Sequence, residues 1–113
     1  MLFSSVTAAE KKDIPTAKYI NWIVERLVIE ETSLKNQNIE ELFKKVETEL
    51  SKLSDRSKFR PIKIVCQDSI RKQKHTILLP KVRMKTMLAV LADATGAELI
   101  IKDGEIIFKT LLE

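Results

Sequence analysis

The feature that most constrains the fold is the stretch AELIIKDGEIIFK, residues 97 to 109, in which two alternating segments flank Asp103 and Gly104. An Asp-Gly pair between two such segments is a strong short-range signal of a β-hairpin. We expect a type I′ turn, because that turn matches the twist of the strands that it joins. One face of the hairpin then carries Leu99, Ile101, Ile106 and Phe108.

Two helices are predicted from capping signals and apolar spacing. Asn38 is expected to be the N-cap of the first, with Glu41 three residues later completing a capping box. An apolar stripe then recurs at helical spacing. Its members are Ile39, Leu42, Phe43, Val46, Leu50 and Leu53. A second helix is expected from about Met84, ending at Gly96 in the left-handed conformation.

Alternating or β-branched segments predict the remaining strands at 27–35, 62–67 and 75–80, with polar loops between them. Residues 19–27 are apolar at both helical and strand spacing, so their type stays open. The two halves repeat the same apolar pattern, with Ile39 matching Met84 and Val46 matching Leu91, at an offset of 45 residues. The order β-α-β-β-α-β-β therefore predicts an α+β fold of duplicated β-α-β units, in which two helices pack with small mixed or antiparallel sheets. A ferredoxin-like sandwich is the alternative.

A chain of 113 residues predicts one domain, which we place at residues 19–113. Residues 1–18 are small, polar and aperiodic, and are expected to form a flexible tail. Within them, Val6-Thr7-Ala8 has the small-residue form of a signal-peptidase site, so the tail is either an ordinary terminus or the remnant of a secretion signal. No run of the sequence reaches the roughly 20 apolar residues of a membrane span.

The residue types that carry catalysis or bind cofactors are scarce. The chain has two glycines, so it offers no glycine-rich phosphate loop. It has one cysteine, Cys66, and one histidine, His75, which cannot supply the four ligands of a structural zinc site. We expect Cys66 to behave as a small buried hydrophobic residue of a strand. The sequence predicts a protein that is not an enzyme, with no cofactor and no evident small-molecule substrate.

The formal net charge is +4, but charges of both signs are mixed along the chain. Basic residues cluster at Arg56–Arg60 and Arg71–His75, and no aromatic residue stands within the second cluster to stack on a base. We interpret both as solvated loops, and keep a small basic nucleic-acid-binding domain as the alternative function. Tyr19 and Trp22 are either an interface anchor or a cover over one end of the core, and we favour the cover.

The stretch from His75 to Phe108 resembles the short N-terminal domain of secretins and TonB-dependent receptors. Residues of this sequence that fall on that family's pattern are Leu88, Leu91, Gly96, Asp103, Gly104 and Ile106. Residues 27–50 are similar to the preceding strand and helix of related exported bacterial proteins, so the resemblance covers about 24–109. It implies two helices packed with small sheets, a periplasmic or cell-envelope location, and a role in protein interaction. It transfers no binding motif to this chain.

The last strand, residues 105–109, is expected to have an uncovered edge, because little chain follows to pair with it. An unpaired edge can accept a strand of a partner protein. Glu105, Ile107 and Lys109 are the candidate docking residues, and Ile106 and Phe108 are expected in the core. The alternative is that the edge pairs within the domain. We thus predict a non-enzymatic protein-interaction module of an exported or envelope protein, otherwise cytoplasmic, with its oligomeric state open.

Overall fold

The computed structural model describes residues 13 to 56 and 59 to 110. In that part the elements are α1 (Ala17–Val24), β1 (Val28–Ile29), β2 (Thr32–Asn38), α2 (Glu40–Asp55), β3 (Lys63–Cys66), α3 (Asp68–Arg71), β4 (Lys74–Leu79), β5 (Val82–Arg83), α4 (Met84–Thr95), β6 (Ala97–Lys102) and β7 (Glu105–Thr110). The strands form three small sheets, two of them antiparallel pairs and one mixed. The α+β class predicted from the sequence is confirmed.

A two-stranded antiparallel ribbon runs through the middle of the chain. β1 pairs with β5 and β2 pairs with β4, and the two pairings keep one register across the gap between them. The pairs include Val28 with Arg83, Ile29 with Val82, Thr32 with Leu79 and Leu34 with Ile77. Pro80 falls in the gap, where its missing N–H interrupts the ladder. The single strand predicted at 27–35 is therefore divided in two.

The third sheet has the order β3-β7-β6. The hairpin register predicted for β6 and β7 is confirmed, with Ile101 opposite Ile106 and Leu99 opposite Phe108. β3 pairs with the other side of β7 in parallel, from Lys63 opposite Glu105 to Cys66 opposite Phe108. The prediction of a free β7 edge is therefore wrong, because β7 is the central strand. A ferredoxin-like sandwich is also wrong, since the strands do not form one sheet.

The core lies between the two long helices, the ribbon and the inner face of the three-stranded sheet. Its largest fully buried side chains include Phe43, Leu50, Met84, Met87, Leu88, Leu91, Ile106 and Phe108. The rings of Phe43 on α2 and Phe108 on β7 meet edge to face, with centroids 4.9 Å apart. The apolar stripe predicted for α2 is confirmed, with Leu53 only half-buried at its far end.

The segment before residue 19 belongs to the fold from Asp13 onward. α1 begins at Ala17, so the undecided stretch 19–27 is mostly helical. The Gly104 N–H donates to the Pro15 carbonyl at 2.7 Å, and the Ala17 N–H donates to the Asp103 carboxylate at 2.8 Å. The predicted tail is thus wrong for residues 13 to 18, because these bonds attach them to the hairpin turn. The rest of that tail, residues 1–12, lies outside the described residues.

Of the predicted helix caps and the predicted turn type, the structure confirms one and contradicts two. Gly96 ends α4 with φ 71° and ψ 30°, so the left-handed cap is confirmed. The capping box is wrong: Asn38 lies in β2 opposite Lys74, and α2 begins after Ile39 without a side-chain cap. The type I′ turn is also wrong, because it needs positive φ at Asp103, and Asn36 is the only non-glycine residue with positive φ in the described chain.

Candidate functional site

β3 and β6 are the two edge strands of the three-stranded sheet, and the hairpin pattern did not reveal the β3 edge. The Lys63 N–H donates to the Gly104 carbonyl at 3.0 Å, which points the backbone of Lys63 toward β7. Backbone groups alternate sides along a strand, so Val65 also faces β7, while Ile64 and Cys66 direct their N–H and C=O groups outward. Within the described residues, no backbone partner pairs with that outward side.

The side chains of β3 divide between the two faces of the sheet. Ile64 and Cys66 are partly buried and pack against the core, whereas Val65 points to the outer face and is 40% exposed. Val65 lies opposite Ile107, which in turn lies opposite Ile100. The three side chains form one apolar row across the sheet, defined here as the outer row. The row ends at the free edge of β3, so a strand added there would extend it.

The three residues predicted to dock a partner lie on this outer face. Ile107 is the centre of the outer row, while Glu105 and Lys109 stand on either side of it along β7. Their backbone groups are not available to a partner, because β7 is paired on both sides along most of its length. The structure therefore places their side chains on the outer face of the sheet, whereas the edges of the sheet are formed by β3 and β6.

The β3 edge carries little protection against strand addition. Natural edge strands are commonly shielded by lysine, proline, bulges or short length. β3 has two of these features, since it begins with Lys63 and is only four residues long. Its pairing with β7 contains no bulge. Sequence reasoning identified KIVC as a strand, but alternation alone could not tell which side of it stays unpaired.

Cys66 sits at the end of this edge, and its environment disfavours the thiolate. Burial raises the pKa of the Cys66 thiol, the Arg71 guanidinium lowers that pKa, and the nearby carboxylates of Asp68 and Glu47 raise it further. The thiol Sγ contacts the Gln67 carbonyl at 3.6 Å. Since thiolate is the reactive form of cysteine, the thiol is poorly suited to nucleophilic chemistry near neutral pH.

His75 does not join Cys66 in a reactive pair. The His75 Nε2 instead lies 2.8 Å from the Gln73 side-chain oxygen, on the strand that pairs with β2. Among residues 13–56 and 59–110, no group of three or more His, Cys, Asp or Glu side chains is placed to hold a metal ion. None of the helices described is both long and apolar enough to cross a bilayer.

The arginines Arg71 and Arg56, one from each basic cluster, are differently placed in the fold. Arg71 pairs with Glu47 at 2.8 Å, near the middle of α2, and its guanidinium carbon lies 5.1 Å from the centre of the Phe43 ring. Arg56 follows the last residue of α2. At 1.5 Å per residue, Glu47 and Arg56 are about 14 Å apart along the helix axis. Arg71 is therefore engaged in contacts within the fold, and Arg56 lies at the end of α2, away from it.

Comparison of the chain with protein-family models, with curated proteins and with solved structures finds no match.

Proposed function

We propose that this domain is a non-enzymatic protein-interaction module that binds an extended segment of a partner protein by strand addition to β3. The outward N–H and C=O groups of Ile64 and Cys66 carry the proposal, because a partner strand would satisfy them. Affinity in such complexes comes from main-chain hydrogen bonds, and selectivity comes from alternate side chains of the added strand. These side chains would meet Val65 and extend the outer row.

The resemblance to the short N-terminal domain of secretins and TonB-dependent receptors supports an exported or cell-envelope protein as the setting of this module. The signal-like Val6-Thr7-Ala8 supports the same location. The two supports are independent, since the resemblance covers about residues 24–109 and the signal-like tripeptide lies outside that range. Nucleic acid is the weaker alternative, because Arg71 is held by Glu47 and Phe43.

Peptides selected from a random library test the proposal whatever the sequence of the natural partner. Synthetic copies of the enriched peptides are titrated into isotope-labelled protein, and exchange of the backbone amides is followed by NMR. We expect the amides of Ile64 and Cys66 to become protected on binding, because they would donate to the added strand.

Two lysine substitutions separate strand addition from general surface contact. Val65→Lys adds a charge beside the edge and is expected to weaken peptide binding by about tenfold or more. Leu78→Lys is the matched control, since Leu78 is a 64% exposed strand residue of the ribbon, in a different sheet from β3. Peptides that leave the β3 amides unprotected, or that bind both variants equally, would contradict the proposal.

A further inference from the structure

α1 presents a row of ordered aromatic and cationic side chains at the surface. Trp22, the only tryptophan of the chain, is 49% exposed, so the predicted cover over the core is wrong for Trp22. Tyr19 is half-buried and packs on Phe59, with ring centroids 4.4 Å apart. Tyr19 stacks with it at 6.1 Å between ring centroids in the case of Trp22, and the Arg26 guanidinium carbon lies 4.0 Å from the indole centre. Arg26 also donates to the Trp22 carbonyl at 2.8 Å. These contacts fix the side chains in advance, which lowers the entropy cost of binding.

An open cleft of about 410 Å³ adjoins this row, and Arg26 lines both. The other lining residues are Glu25, Val28 and Arg83. Val28 is 41% exposed and lies directly opposite Arg83 in the ribbon. The cleft therefore places the apolar side chain of Val28 beside two arginines, at the point where the ribbon meets α1.

The charge of the cleft is positive and uncompensated. Among the described residues that line the cleft, Glu25 supplies the one carboxylate, and that carboxylate pairs with Lys85 at 3.5 Å. Within the described residues, neither Arg26 nor Arg83 forms an ion pair with a carboxylate. The first turn of α4, which starts just after Arg83, contains no acidic residue. A ligand with a negative charge would thus complete the site.

The arrangement of Trp22 favours a polypeptide over a nucleic acid as that ligand. Tyr19 precedes Trp22 by three residues and Arg26 follows it by four, spacings that place both side chains beside the indole on the helix surface. Single-stranded nucleic acids bind by stacking bases on open aromatic faces. Here the indole already stacks with Tyr19 and Arg26, which leaves less of its surface for a base.

From this geometry we propose that the cleft is a second docking surface, distinct from β3, for an acidic segment of a partner protein. A carboxylate of that segment binds Arg26 and Arg83, and a neighbouring aliphatic side chain packs on the exposed side chains of Val28 and Trp22. Trp, Tyr and Arg are the residues most enriched among those that dominate binding at protein interfaces. Arginine adds paired, directional hydrogen bonds to a carboxylate.

Fluorescence of Trp22 tests the proposal, because a single tryptophan reports on this surface alone. The probe is a capped eight-residue peptide that alternates aspartate and leucine. Its control alternates asparagine and leucine. We expect the acidic peptide to change the fluorescence in a saturable way and to bind at least about tenfold more tightly than its control. No change of fluorescence, or equal binding of the two peptides, would overturn the proposal.

A pair of arginine substitutions assigns the effect to the cleft. Arg83→Gln is expected to weaken binding of the acidic peptide by about tenfold, whereas Arg56→Gln, which removes the same charge beyond the end of α2, should leave it unchanged. Equal losses in the two variants would indicate general charge attraction and overturn the proposal. Circular dichroism of both variants verifies that they are folded.

Two further measurements test the choice of occupant. A twelve-residue oligothymidylate that changes Trp22 fluorescence at lower concentrations than the acidic peptide would replace the acidic segment with a nucleic acid. Dilution of the protein alone, with no peptide, tests a second copy of the chain. A change of fluorescence on dilution that Arg83→Gln abolishes would make that copy the occupant and overturn the proposal.

Discussion

The guanidinium of Arg71 lies 2.8 Å from the carboxylate of Glu47, and its carbon lies over the ring of Phe43, 5.1 Å from the ring centre. Arg71 ends the short helix α3, and Glu47 lies in the middle of α2, so the pair connects two elements that are 24 residues apart in the chain. The Arg71 side chain is only 15% exposed. Its charge therefore stabilises the packing of α3 on α2 and is not presented to an anionic ligand.

A double-mutant cycle of Arg71→Gln and Glu47→Gln should give a coupling of about 1 kcal/mol in the free energy of unfolding, because one partner is largely buried and the pair is hydrogen-bonded. Denaturant titrations of the four proteins measure it. The exposed pair of Lys52 and Glu49, 3.3 Å apart, is the control and should couple by only about 0.3 kcal/mol. Equal couplings would mean that Arg71 does not anchor α3.

The features predicted correctly from the sequence depend on neighbours in the chain. The stripe of α2 follows from 3.6-residue spacing, and the register of β6 with β7 follows from a two-residue turn and alternating side chains. The left-handed Gly96 follows from its position after the last apolar residue of α4. Each of these signals lies within a window of about 15 residues, where local geometry limits the choices.

The features that were missed depend on residues distant in the chain. β3 and β7 are about 40 residues apart, and a parallel pairing leaves no turn signal between its strands. Asn38 has the sequence signature of a cap, but pairing of β2 with β4 places it in a strand. Trp22 stays at the surface because α1 turns Ile20, Ile23 and Val24 toward the core, and the sequence left the type of residues 19–27 open.

Thr16 is the N-cap of α1, and Asn38 was the predicted N-cap of α2. Substitutions at the two residues should lower the free energy of unfolding by different amounts. The Thr16 hydroxyl accepts a hydrogen bond from the Tyr19 N–H at 3.1 Å, so Thr16→Ala should lower the free energy of unfolding by about 1 kcal/mol. Asn38→Ala should cost less than about 0.5 kcal/mol, because its exposed side chain caps no helix. Thermal melts of the two variants measure the difference. A larger loss in Asn38→Ala would restore the capping box.

The two glycines should respond differently to alanine. Both have positive φ, 71° at Gly96 and 78° at Gly104. The strained backbone of alanine at either position should lower the free energy of unfolding by about 1 kcal/mol. A Cβ at Gly96 would meet no atom within 4 Å, whereas one at Gly104 would lie 2.9 Å from the Ile14 Cγ2. Gly104→Ala should therefore be the more destabilising, and Ile14→Ala should relieve the excess. Chemical denaturation of the double variant checks this, and equal losses at the two glycines would exclude the contact.

Gly96→Val should lower the free energy of unfolding by about 1 kcal/mol or more, since a β-branched residue tolerates positive φ poorly. The matched change is Gly96→Asn, which introduces a polar residue that adopts the left-handed conformation more readily. A melting temperature of Gly96→Val equal to that of the wild type would show that the end of α4 can rearrange.

Cys66 gives the stability of the fold a dependence on pH in the alkaline range. Its folded pKa is raised above the ordinary 9.0, mainly by burial, so the folded state keeps the thiol proton where the unfolded state loses it. The stability that this proton contributes is complete below pH 9 and is lost as pH rises toward the folded pKa. Stability curves of the wild type and Cys66→Ala, measured from about pH 7 to about pH 11, should therefore converge as pH rises. Parallel curves would contradict the raised pKa.

Exchange of backbone amides in the isolated protein tests whether the outward side of β3 is unpaired. Within β3, the Val65 N–H points toward β7 and should exchange slowly, while the outward N–H groups of Ile64 and Cys66 should exchange fast. In β7 the amides of Ile106 and Phe108 point to β3 and that of Ile107 points to β6, so all three should be slow. NMR exchange at a concentration where sedimentation shows a monomer measures these rates. Slow exchange at both Ile64 and Cys66 would mean that another part of the chain covers the edge, and would remove the basis for strand addition.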